Sequence, residues 1–259
     1  MTLDLRPARS LDRGERAELF TSAYQDYLLP FHIDEPTLAS MENVLDLDVD
    51  ASRIAFREGE PVGLGNLGLR GRDAWIGGVG VVPAARRSGV GEALMLALHE
   101  QGRERGVERV WLEVIDRNTG AFALYEKLGY RVVRDVEVWA LSADPDSEST
   151  AREVAAADAQ ARIGAFQPDR QPWQRADGTV AHHDDVQGLA TDDGGAVFRV
   201  GGAVQLLQFA GDAEPLLRAL RRLGIVSVLN LPVDDPAAAA LRALGATVVV
   251  RQHEMLLEL

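Results

Sequence analysis

The stretch AWIGGVGVVPAARRSGVGEALMLALHEQGRERG, residues 74–106, decides the reading of this chain. An apolar run over residues 74–82 is stopped by Pro83, a basic and glycine-bearing turn follows at residues 86–91, and a helical pattern begins at Glu92. Strand, tight loop and helix in that order leave the first N–H groups of the helix without intrahelical partners, and the helix dipole favours negative charge there. Gly89 and Gly91 let a ligand approach the main chain, and Arg86 and Arg87 bring positive charge beside it. A pyrophosphate fits such a turn. A dinucleotide fingerprint does not, because Gly78 and Gly80 lie inside the strand rather than in the turn that opens the helix, and the Gly-Lys-Ser/Thr of a Walker A loop is missing.

The flanking sequence supplies a sheet for this unit. Residues 3–7 read as an edge strand, and Asp12 three residues before Glu15 forms a close variant of the capping box, opening a helix with Ala17, Leu19, Phe20, Ala23, Tyr24 and Tyr27 on its apolar face, ended by Pro30. A second helix begins after Pro36, carrying Leu38, Met41, Val44 and Leu45. Residues 52–57 and 61–70 are two strands of an antiparallel meander that feeds the loop. The helix over residues 92–105 stops at Gly106, and VWLEV, residues 110–114, is the next strand.

Composition narrows the chemistry. The chain has 259 residues, 46% of them hydrophobic and 26% charged, enough for one large or two modest soluble domains. With no cysteine, disulfides, thiolate metal sites and a cysteinyl acyl intermediate are excluded. The N-terminal residues carry no basic-then-apolar leader, and no stretch approaches ~18 uncharged apolar residues, so a cytoplasmic protein with no membrane partner is expected. A net charge of −13 argues against nucleic acid and mildly favours a cationic partner such as an amine.

Residues 118–130, NTGAFALYEKLGY, form a short helix with a glycine exit, before a last strand at residues 132–141. Together with Arg86-x-x-Gly89-x-Gly91 after Val81 and Pro83, this stretch resembles the GNAT superfamily of N-acetyltransferases, whose pattern here is Asn-x-x-Ala-x-x-Leu-Tyr-Glu-Lys-x-Gly-Phe/Tyr. The resemblance implies an α+β fold, a mostly antiparallel mixed sheet flanked by helices, and direct acetyl transfer from acetyl-CoA to a small-molecule primary amine. It implies cofactor binding by Val79, Val81, Val82, Arg86, Arg87, Ser88, Gly89, Val90, Gly91, Glu92, Asn118 and Tyr125, with a main-chain N–H near Val81 facing the oxyanion. The Tyr125 hydroxyl would protonate the departing thiolate, since a phenol remains protonated at neutral pH. In this family the region after the first strand covers the acceptor site, so Tyr24, Tyr27, Phe31 and His32 are candidate substrate residues, although each taken singly reads first as core packing for the aromatics and as solvated loop for His32. Glu113 is the first candidate base, followed by Asp116, Asp26 and His32; strand alternation leaves a structural hydrogen bond equally open for Glu113.

Residues 142–152, SADPDSESTAR, have the composition of a linker. Residues 153–259 repeat the first half in degenerate form, with Leu244-Gly245 falling on Leu128-Gly129, a strand at residues 226–231, a helix at 214–223 and a strand pair within 196–209. The expected domains are therefore 1–141, catalytic, and 153–259, GNAT-like without the loop. In the copy Leu241 stands for Tyr125, Asp234 for Asn118, and Phe209 to Pro215 replace the phosphate loop, with acidic residues that repel a phosphate. The pair His182-His183 would face opposite ways in a strand, so no metal site is expected there or elsewhere. Besides the enzyme, two further readings stand: a CoA-binding or ligand-sensing module, and a protein N-acetyltransferase. A tandem chain of this kind is expected as a monomer acting as a pseudo-dimer, or as a homodimer.

Overall fold

The structure is a computed structural model that describes residues 3–25, 32–166 and 170–259. Tyr27, Phe31, Asp26 and Pro168 lie outside the described residues. The chain divides into two compact units, one of residues 1–133 with 255–259, the other Arg134–Glu254. The boundary thus falls at residue 133 and not within residues 142–152. That polar segment is held inside the second unit, where the Asp144 N–H donates to the Arg221 carbonyl (2.8 Å) and the Ser149 hydroxyl to the Pro215 carbonyl (2.6 Å).

The first unit runs β1 (Leu3–Pro7), α1 (Arg13–Ala23), α2 (Glu35–Val44), β2 (Arg53–Arg57), β3 (Glu60–Arg70), β4 (Asp73–Val81), α3 (Val90–Glu104), β5 (Arg109–Ile115) and α4 (Thr119–Lys127). Its strands lie in the order β1-β2-β3-β4-β5, followed by the end of the chain's last strand, and the Leu259 N–H donates to the Glu108 carbonyl at 2.9 Å. The capping box is complete: the Glu15 N–H donates to Asp12 and the Asp12 N–H to Glu15, both at 2.8 Å. One face of the sheet buries Ile54, Phe56 and Leu64 under α1 and α2; the other buries Leu67, Ile76, Val110 and Leu112 under Met95 and Leu98 of α3, beside Tyr125 of α4.

The second unit repeats this order. It begins with residues 134–141 of β6 (Arg131–Leu141) and continues through β7 (Arg152–Val154), α5 (Ala156–Phe166), α6 (Asp177–Ala181), β8 (Gln187–Thr191), β9 (Gly194–Val200), β10 (Val204–Gly211), α7 (Ala213–Arg221), β11 (Val226–Pro232), α8 (Ala237–Ala243) and residues 247–254 of β12 (Thr247–Glu258). From β6 its strands run β6-β11-β10-β9-β8-β7. Leu216, Leu217 and Leu220 of α7 and Leu241 of α8 are fully buried on one face, while Ala159 and Ile163 of α5 pack with Val197 and Leu207 on the other. The kinship of the halves is sharpest after their last helices. The Tyr130 N–H donates back to the Tyr125 carbonyl (3.0 Å) past Gly129, and the Ala246 N–H to the Leu241 carbonyl (2.9 Å) past Gly245, the same helix exit built twice.

Candidate active site

The site of the first unit originates in a failure of strand pairing. β4 and β5 pair in parallel only from Asp73↔Arg109 to Trp75↔Trp111. Just beyond, the register of β4 against β3 shifts between Ile76 and Val79, a bulge that takes in Gly78 at φ 128°. The two strands then diverge and leave a cleft between their C-terminal ends. The glycines of this stretch admit α1: a Cβ at Gly78 would lie 2.8 Å from the Tyr24 hydroxyl oxygen, and one at Gly80 would lie 2.7 Å from its ring. Tyr24, stacked on Phe20 with ring centroids 4.9 Å apart, therefore lies close over the strand and closes one side of the cleft.

Along β4, the Val82 N–H donates to the Val62 carbonyl on β3 (3.0 Å). Because successive residues of a strand direct their main-chain groups to opposite edges, Val81 and Val79 turn theirs toward the cleft, where β5 has already diverged. A short 3-10 turn, Pro83–Ala85, then leads into the loop. Arg86 secures this loop, donating from Nε to the Val81 carbonyl (3.1 Å) and from a terminal nitrogen to the Ala23 carbonyl (3.2 Å). Ser88 braces it from the other side, giving its proton to the Ala85 carbonyl (2.6 Å) and accepting from Arg57 (2.8 Å).

At the start of α3, Gly89 is the N-cap residue in the left-handed region (φ 84°), and no side chain among the described residues caps the helix. The first intrahelical bond is Ala93 N–H to the Gly89 carbonyl (3.0 Å), so the amides of Val90, Gly91 and Glu92 precede the ladder. Uncapped amides, the dipole and the exposed Arg87 beside them make an electropositive pole inside an otherwise acidic protein. Glu92 does not cancel it, since both of its carboxylate oxygens accept from Lys127 (2.6 and 2.8 Å).

The cleft measures about 570 Å³. It brings together Val79, Val81, Arg86, Arg87, Gly89, Gly91, Glu92 and Asn118, all expected at the cofactor, with Tyr24, expected at the substrate. Asn118 also caps α4, its side-chain oxygen accepting from the Ala121 N–H (3.2 Å). Other expected residues are not in the wall. Val82 is turned to β3, Ser88 braces the loop, and Val90 is buried with Leu94 of the same helix against Ala55 of β2. His32 is exposed and also outside it. Arg117 lines the cleft and was missed; its only sequence signal was a basic residue at a strand end, one of many.

The two residues expected to do chemistry are placed behind the wall. Tyr125 is 9% exposed and packs against Tyr130, ring centroids 5.8 Å apart. Glu113 accepts the Trp75 indole N–H at 2.8 Å, the structural bond that strand alternation left open, while the neighbouring Trp111 indole donates to Asp73 (2.9 Å). Deeper still, Tyr130 shares a 2.9 Å hydrogen bond with Nε2 of His99 on α3. Burial pushes the His99 pKa down to about 4, and burial followed by the neighbouring Tyr125 pushes the Tyr130 phenol well above its ordinary value.

The second unit has the same splay, with another occupant. β10 and β11 pair in parallel only over residues 204–206 and 226–228, after which the register of each against its other neighbour shifts. The turn Trp173–Arg175 packs on both strands there, and both of its end residues are buried. β10 passes into α7 through Gly211 and Asp212 without a loop, and Glu214 in the first turn pairs with Arg218 (2.9 Å).

Comparison with known proteins agrees with this geometry. Residues 17–130 match the model of the acetyltransferase (GNAT) family. A 58-residue stretch is 41% identical to the [ribosomal protein bS18]-alanine N-acetyltransferase of Escherichia coli K12, covering 22% of this chain and 39% of that one, so the chain spans less than half of that relative's length. Over 112 residues it is 29% identical to the aminoglycoside N(6')-acetyltransferase type 1 of Salmonella typhimurium, covering 40% of this chain and 77% of the relative. In fold, a tandem GNAT protein from the clavulanic acid biosynthesis pathway superposes with a TM-score of 0.67 at 16% identity, over 99% of this chain and 98% of that one. The chain thus consists of two GNAT-like folds in tandem, and its residues 17–130 are similar to the acetyltransferase (GNAT) family.

Proposed function

We propose that the first unit is an acetyl-CoA-dependent N-acetyltransferase that passes the acetyl group directly to a primary amine. The observation that carries this reading is the uncapped start of α3, with Gly89 in the left-handed region and Arg87 beside it, opening into the cleft bordered by the free edge of β4. The amides of Val90, Gly91 and Glu92 and the Arg87 guanidinium would hold the diphosphate of the acyl donor, and Arg86 would keep the loop in shape through its two carbonyl contacts. Main-chain N–H groups at Val79 and Val81 would bond the extended arm of the donor and the carbonyl oxygen as it gains charge. Alignment of donor and amine in one cleft supplies much of the rate.

Tyr125 is the proposed proton donor to the departing thiolate. Glu113 holds the Trp75 indole with one carboxylate oxygen and lies outside the cleft wall, so the amine is taken to lose its proton to water at the open end of the cleft, with Glu113 kept as the alternative base. Both relatives compared are N-acetyltransferases, one of a protein alanine and one of an aminoglycoside; a small-molecule amine in the cytoplasm is the acceptor proposed here, a protein N-terminus or lysine the alternative. A second reading is favoured by a specific observation: Tyr125 is 9% exposed and outside the cleft wall, as suits a CoA-binding module without catalysis. Thiol release from acetyl-CoA, followed across a panel of amines, separates them. Turnover that is abolished in Tyr125→Phe while CoA binding persists supports the enzyme; CoA binding without turnover on any amine supports the module.

A further inference from the structure

The second unit holds a buried charge whose terminal nitrogens no described residue hydrogen-bonds. Arg175 is 1% exposed, and neither of its terminal guanidinium nitrogens has a hydrogen-bond partner among the described residues. Its Nε reaches the Gln171 side-chain oxygen at 3.4 Å, at the long limit of a hydrogen bond, and its guanidinium carbon sits 5.2 Å from the centre of the Phe209 ring. Burial lowers its pKa to about 10, which still leaves it protonated at neutral pH. The buried carboxylate of Glu254 is held instead by Arg134 (2.6 Å) and Arg170. Asp235 favours the charge through space but gives its terminal nitrogens no hydrogen bond, and a buried cation left unbonded in this way is costly unless something else supplies acceptors.

Gln171 and Phe209, which both approach Arg175, also line a pocket of about 400 Å³ at the splayed ends of β10 and β11. Phe166 and Pro232 add apolar surface, and Asp234 and Asp235 stand at its wall. Asp235 accepts the Ala237 N–H at 2.9 Å, whereas Asp234 is exposed. The pocket therefore combines the Arg134 side chain in its lining with Arg175 directly behind Gln171 and Phe209, an apolar side and carboxylates at its rim. A plain anion would be repelled by the rim, and a plain amine by the arginines.

We propose that this pocket binds a small zwitterion, an α-amino acid with an apolar side chain, its carboxylate set toward Gln171 and Arg175 and its ammonium toward Asp234 and Asp235. The site is separate from the acetyl-transfer cleft and does not depend on that assignment. It gives the second unit, which has no phosphate loop, a ligand of its own.

The test uses the full chain with L-leucine, 4-methylpentanoate, which lacks the ammonium, and L-leucinamide, which lacks the carboxylate charge. Thermal denaturation and calorimetry are read for each. Leucine is expected to raise Tm, and both analogues to bind at least about tenfold more weakly. Arg175→Met removes an unpaired buried charge and keeps an apolar stem, so it is expected to fold and to lose leucine binding by a similar factor. Should that variant not fold, Asp234→Asn at the exposed rim is expected to erase the preference for leucine over 4-methylpentanoate. Arg87→Ala, in the other cleft, is expected to leave the leucine response intact. No rise in Tm with leucine at about 10 mM, an undiminished response in Arg175→Met, or leucinamide binding as well as leucine would each overturn the proposal; so would a leucine response lost in Arg87→Ala, which would assign the ligand to the acetyl-transfer cleft.

Discussion

His99 and Tyr130 form a buried polar pair in a layer otherwise made of Met95, Leu98 and Tyr125. The imidazole is neutral in the folded protein because water is excluded, and its pKa of about 4 lies below the ordinary 6.5. Above pH 6.5 both folded and unfolded chains hold it neutral and the shift costs nothing. Between 6.5 and 4 the unfolded chain binds the extra proton, so stability declines as pH falls through that window, by an amount on the order of 3 kcal/mol. His99→Gln keeps a hydrogen-bond partner for Tyr130 without a titrating ring, and urea denaturation at pH 7 and pH 4.5 is expected to show a smaller difference for the variant than for the parent. An unchanged difference would place the acid sensitivity elsewhere. Nothing in the sequence singles out this pair, because residues 99 and 130 meet only when α3 lies on the sheet. Glu113 shows the same limit: its position in a strand was legible, and its bond to Trp75 depends on the register of β4 with β5.

Helix α3 and the turn before it were legible because their logic is local: a strand end, two glycines, two arginines and an amphipathic run lie within one short stretch. The capping box of α1 was legible for the same reason. The cleft itself was not, since it results from where pairing between β4 and β5 ends and from a bulge opposite β3. Gly89 is where local and tertiary requirements coincide. At φ 84° a side chain is strained, although a Cβ there would meet no atom within 4 Å. Gly89→Ala is therefore expected to cost about 1 kcal/mol from backbone strain alone, and the resulting shift of the Val90 and Gly91 amides to weaken acetyl-CoA binding roughly tenfold. Arg87→Ala, at an exposed side chain, is expected to weaken the same binding with stability unchanged to within about 0.5 kcal/mol. Calorimetric titration with acetyl-CoA beside thermal denaturation checks both variants; equal affinity in parent and Gly89→Ala would remove the loop from the binding site.

At the scale of the chain, the repeat was readable from one alignment, Leu128-Gly129 on Leu244-Gly245, because the two halves share a helix exit whose hydrogen bonds require a glycine at that place. The assignment of each strand to its unit was not. Residues 255–259 are apolar enough to announce a strand but carry no mark of the sheet that receives them, and they belong to the first unit. Met255 is completely buried in the cluster of Leu67, Ile76, Val110, Leu112 and Tyr130, with Leu257 and Leu259 packed against it. Met255→Ala leaves a cavity there and is expected to cost about 3 kcal/mol. Removal of residues 255–259 deprives the first unit of the strand beside β5 and is expected to cost more. Hydrogen exchange locates the effect: protection in either variant should fall at residues 109–115 and 119–130, while residues 187–232 of the second unit keep theirs. Loss confined to the second unit, with β5 unaltered, would contradict this division of the chain. A fragment of residues 1–141, the natural choice from the sequence, should likewise be less stable than the full chain, because it lacks the five residues that complete its core.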